Sequence, residues 1–101
     1  VGSESQARAI AHELVERRLA ACVHIDPIES VYEWQGRIET GREWRLIVKT
    51  TAERYPEVEA AVRALHDYEL PAILALPVAE VWAPFADWVV GQTTTGPLAE
   101  P

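Results

Sequence analysis

The chain has 101 residues, enough for a single domain with one core. A hydrophobic share of 49% with 25% charged residues excludes a chain disordered throughout. Sixteen acidic against nine basic residues give a formal net charge of -7, which speaks against general nucleic-acid binding; the short basic groups Arg17-Arg18 and Arg42/Arg45 have acidic neighbours.

The first predicted element is a helix capped by Ser3, with Gln6 placed to complete a capping box. Ala7, Ile10, Ala11, Leu14, Val15 and Leu19 recur at helical spacing, with Arg17 and Arg18 at the end favoured by the helix dipole. A strand follows over Ala20 to Ile25 and is expected to end at Asp26-Pro27. Val31, Tyr32 and Trp34 then mark an extended stretch from Ser30 to Ile38, with a bulge or bend at Gly36. Thr40-Gly41 reads as a turn, and Glu43 to Thr50 as a returning strand with Trp44, Leu46 and Val48 on one face.

A second helix is predicted from about Ala52 to His66, with Pro56 confined to its first turn and Tyr55, Val58, Ala61, Val62 and Leu65 on its buried stripe. Ala72 to Val78 reads as a buried strand. A short last helix starts near Pro84 and carries Phe85, Trp88 and Val89 on one face. Residues 1–90 are expected to form the folded domain and 91–101 a mobile tail. The order fits an α+β, ferredoxin-like βαββαβ sandwich with an extra C-terminal helix, its first strand missing from the visible chain, and Val1-Gly2 as the end of that strand.

One cysteine, Cys22, allows no intrachain disulfide and fits a reducing compartment. No apolar run approaches the roughly 20 residues that span a bilayer. No signal peptide is visible at Val-Gly-Ser-Glu-Ser, so the cytoplasm is the expected compartment.

Several phrases resemble the CutA divalent-cation tolerance family. Leu14-Val15-Glu16-Arg17-Arg18-Leu19-Ala20-Ala21-Cys22-Val23 is similar to its first helix running into a strand, and Ser30-Val31-Tyr32-Glu33-Trp34-Gln35-Gly36 to its Ser-x-Tyr-x-Trp-x-Gly strand. Lys49-Thr50-Thr51, His66-Asp67-Tyr68-Glu69-Leu70-Pro71 and Ala75-Leu76-Pro77-Val78 resemble later segments in the right order. The resemblance implies a homotrimer tied to tolerance of divalent cations, copper especially, without established catalysis. Three positions depart from it: Asp67 replaces a proline, Ala72 replaces a glutamate, and Ala79 to Pro84 replace a glycine-containing turn. Val81, Trp82, Ala83 and Phe85 then suggest a second protein interface.

Cys22 and His24 lie two apart on a strand and so share a face; thiolate and imidazole suit copper or another divalent cation. Cys22 by itself reads first as a small buried hydrophobe. By the resemblance His66 is the stronger metal candidate, although a histidine closing a helix also suits the dipole. His12 reads as a solvated surface residue. Tyr32, Trp34, Lys49, Tyr68 and Trp88 can line a cleft between subunits for a small anionic ligand, or be packing groups. No nucleophile–base pair or phosphate-binding glycine loop stands out, so an enzyme is not expected. A PII-like small-molecule sensor is the alternative, weakened by the short turn near Thr40-Gly41.

Overall fold

A computed structural model describes residues 1–94. Helix α1 spans Glu4–Glu16, strands β1 and β2 span Cys22–Trp34 and Arg37–Lys49, a single 3-10 turn covers Ala52–Arg54, and helices α2 and α3 span Tyr55–Leu65 and Ala83–Gln92. Ser3 caps α1 by accepting the Gln6 main-chain N–H at 3.2 Å. The Gln6 side chain does not close the predicted box; its amide donates to the Leu65 carbonyl at the end of α2, 3.4 Å away. Ser3→Ala therefore removes an unshared cap, and a loss of about 1 kcal/mol in chemical denaturation is expected.

Ala7, Ile10, Ala11 and Leu14 are the buried stripe of α1, whereas Val15 is half exposed. Ile10 and Leu14 meet Leu19, Ala20, Val58 and Ala61 in the core, with Val1, Val23, Leu46, Val48 and Val62 packed around it. The chain leaves α1 through Arg18, whose φ of 59° lies in the left-handed region. There the Leu19 and Ala20 amides turn back to the Leu14 carbonyl, at 2.9 and 3.2 Å.

The hairpin is longer and simpler than the sequence suggests. Its turn is Gln35-Gly36, both at positive φ (51° and 80°), the two-residue loop that matches the twist of paired strands. Thr40 and Gly41 are not a turn: they sit within β2, opposite Val31 and Ser30. β1 also does not stop at Asp26-Pro27. Pro27 stands opposite Trp44, and Trp44 spends its own main-chain groups on Val1, on the far side of β2 from β1. The Pro27–Trp44 pair thus exchanges no hydrogen bonds, and the missing proline N–H points away from the ladder.

Val1 is joined to Trp44 in both directions, Trp44 N to Val1 O at 2.7 Å and Val1 N to Trp44 O at 3.0 Å. This is one rung of an antiparallel strand beside β2. Among the described residues the sheet nevertheless has two strands. The strand expected over Ala72 to Val78 is not formed: the segment is irregular, with Leu74, Leu76 and Val78 all exposed. An extended segment becomes a strand only by pairing, and this one has no paired neighbour among the described residues.

Pro56 falls in the first turn of α2, as predicted, and His66 is its C-cap. Arg54, just before α2, is buried; it donates from Nε to the Thr93 carbonyl at 2.5 Å and from Nη1 to Glu57 Oε1 at 2.6 Å. Arg18 Nη2 donates to the Gly91 carbonyl at 2.7 Å. Two guanidinium groups from different elements thus hold the last carbonyls of α3, where its dipole is negative. Helix α3 takes in Gly91 and Gln92, where the tail is expected to begin; residues 95–101 lie outside the described residues.

Candidate functional site

The ladder register sorts the hairpin into two faces. Val23, Leu46 and Val48 lie on the helix-covered face. Cys22, His24, Asp26, Ser30, Tyr32 and Trp34 alternate onto the other face, with Lys49, Arg45 and Glu43 across from them. Arg45 grips Asp26 with two hydrogen bonds, 2.9 and 3.3 Å, on this face; both side chains are largely exposed, so the pair orders the surface more than it stabilises the fold.

At the end of the hairpin nearest α3, Cys22 pairs with Lys49. The Lys49 ammonium stands 5.5 Å from the centre of the Phe85 ring, within cation–π range, and Phe85 meets Trp88 at 5.8 Å between centres, tilted 30°. Trp82, just before α3, is 75% exposed, and Val81 is also exposed.

A second cluster lies about six residues along β2, roughly 20 Å away. Glu43 accepts the Ser30 hydroxyl at 2.6 Å. Tyr68 lies beside Glu43: burial, then the Glu43 carboxylate, and to a smaller degree Tyr32 and Asp67, raise its phenol above the ordinary value. The His66 side chain is only 5% exposed, meets the Tyr68 ring edge-on at 4.6 Å, and accepts the Tyr68 main-chain N–H on Nδ1 at 3.0 Å. Burial above all lowers its pKa from 6.5, against the opposite pull of Asp67 and Glu43.

The sequence-predicted residues are therefore spread over three places within one chain. Lys49 and Trp88 belong to the α3 end, Tyr68 lies beside Glu43 and within electrostatic reach of Tyr32, and Trp34 closes the hairpin at its turn, opposite Arg37. Cys22 and His66, the two metal candidates, fall into different clusters. Among the described residues no three His, Cys, Asp or Glu side chains come together to hold a metal ion. His66 also has one ring nitrogen committed, which does not fit a ready ligand. Cys22 and His24 fit better as a donor set, but one chain supplies only two donors. Glu43 and Ser30 escaped the sequence reading. The signal that finds them is the Gln35-Gly36 turn, because placing the turn there sets Ser30 diagonally across from Glu43.

Among the described residues no helix is long and apolar enough to cross a membrane. The family described as CutA1 divalent ion tolerance protein matches residues 1–92. The divalent-cation tolerance protein CutA of Thermus thermophilus is 49% identical over 92% of this chain and 91% of its own. The human protein CutA is 42% identical over 86% of this chain, which spans about half of the human protein's length. Among solved structures, the periplasmic divalent cation tolerance protein CutA of Archaeoglobus fulgidus superposes with a TM-score of 0.91 at 40% identity, over 93% of this chain and 92% of that one. CutA1 of Pyrococcus horikoshii, in its D60A form, gives 0.90 at 28% identity over 93% and 92%. The fold is thus the ferredoxin-like α+β arrangement expected from the order of elements.

Proposed function

The chain belongs to the CutA1 divalent ion tolerance family, and from that premise we propose that it works as a homotrimer that meets divalent cations, copper foremost, on surfaces its copies share. The single observation that carries this reading is the hairpin. From Val31 through Arg42 no side chain is buried, and Val31 and Ile38, diagonal neighbours on one face, are 73% and 71% exposed. A paired arm of this length with bare β-branched residues and open edges calls for strands of sister copies.

The cation part of the reading draws support from the relatives named divalent-cation tolerance proteins. Cys22 and His24 sit on the sheet face opposite α1 and α2, and thiolate with imidazole is a donor pair suited to copper. Each copy offers two donors, and a sister copy completes the set. Binding and assembly, rather than turnover, are the activity in this reading, and the cytoplasm, where a lone thiol stays reduced, is its compartment.

Sedimentation equilibrium tests the assembly. A species of three times the 11.3 kDa chain mass is expected, and Val31→Glu with Ile38→Glu should shift it to smaller species. A stable lone subunit from the parent chain would sink the reading. Copper titration tests the site: Cys22→Ser or His24→Ala should weaken binding about tenfold or more. Unchanged affinity in both variants removes the two residues from the proposal, and nucleotide binding without metal would favour a PII-like sensor.

A further inference from the structure

His66 does something that its place at the end of α2 does not require. Its Nδ1 accepts the main-chain N–H of the residue two places on, Tyr68, at 3.0 Å. A main-chain N–H can only donate, so Nδ1 carries a lone pair and the neutral ring keeps its proton on Nε2. The arrangement is an Asx turn in which an imidazole nitrogen replaces the carboxamide oxygen. It differs from an asparagine turn in one respect: protonation near neutrality reverses the acceptor into a donor.

We propose that His66 is an acid-released latch for segment 66–70: the unprotonated Nδ1 folds Tyr68 back against Glu43 and Gly2, and a proton on Nδ1 sets two N–H groups against each other and frees it. The geometry around the ring supports both positions. In the closed one, the ring is nearly buried and stacks edge-on against Tyr68, and the Tyr68 hydroxyl comes so near Gly2 that a Cβ there would stand 3.0 Å from it. In the released one, Asp67 Oδ1, already 3.9 Å from Nδ1, receives the new N–H.

The charged and titratable groups facing the ring are Glu43 on β2 and Asp67 and Tyr68 on the segment itself. Burial is the largest influence on the ring and lowers its pKa, so the folded chain resists protonation of His66 more than an open one does. The latch is therefore closed above pH 6.5, where the ring is neutral, and opens as pH falls through the lowered value of the closed ring. What opens is the junction between α2 and the exposed apolar segment 71–82, next to the rung formed by Val1. The inference stands on this chain's own geometry, independently of trimer or metal.

Amide exchange of the parent chain, corrected for intrinsic rates, tests it between about pH 7.5 and about pH 5, above the ordinary carboxylate range. Protection of the Tyr68 amide should fall about tenfold or more as the His66 ring titrates, while the Leu14 amide keeps its protection. His66→Asn restores an acceptor that does not titrate, so Tyr68 should stay protected at both ends of the range; His66→Ala should leave it unprotected at both. A ring that titrates without any change at Tyr68, or the same fall in His66→Asn, would overturn the proposal.

Discussion

Leu14→Ala is expected to lower the stability of the fold by about 2–5 kcal/mol. Leu14 is fully buried, in the cluster that joins α1 to Val58 and Ala61 of α2. Its carbonyl also receives the two amides that end the helix, so the surrounding chain is pinned and cannot collapse into the space left behind. A chain of this size has about 5–15 kcal/mol in all, and such a loss moves its melting temperature by about 10 °C or more. Val15→Ala, one residue on and half exposed, is the matched control and should stay within about 0.5 kcal/mol of the parent. Chemical denaturation at one fixed protein concentration measures both, and equal midpoints for the two variants would show that the cluster is not the core of the molecule.

Stability should move the other way when four residues are added ahead of Val1 with apolar side chains at the second and fourth positions before it. The Val1–Trp44 rung sets the direction and register of such a segment. Continued towards Lys49, its next rungs fall on Leu46 and Val48, whose main-chain groups face the same edge as those of Trp44. The added apolar side chains would share the face of Val1, Leu46 and Val48, which already pack on the core. Two such side chains bury enough surface for about 2 kcal/mol or more after ordering costs, which corresponds to about 8 °C or more in melting temperature. An extension of the same length made of glycine and serine is the control. If both extensions leave the melting temperature where it was, the edge of β2 does not take up a strand.

The helices and the core were legible because they depend on local spacing. Ile10, Leu14, Val58 and Ala61 announce themselves by period, and Ser3 and Pro56 by their places at helix starts. The hairpin was legible in kind but not in register. Gly41 beside Thr40 reads as the better turn, yet it is the pair Gln35-Gly36 that takes up two successive positive φ angles, and Pro27 reads as a stop although its imide nitrogen faces away from the partner strand. Segment 72–78 has a strand's composition, but pairing decides a strand and composition cannot supply a neighbour. The site divided along the same line. Cys22 and His24 share a face by simple alternation, whereas the meeting of His66, Tyr68, Glu43 and Ser30 needs the true turn and the path of the chain after α2.

Pro27 bears on more than the length of β1. On its free side the strand lacks one donor midway along, so no incoming strand can zip along that border without a gap. Contacts made there are divided into two short zones of different chemistry, one near the core and one towards the tip. An interrupted border of this kind disfavours open-ended stacking of strands into fibres.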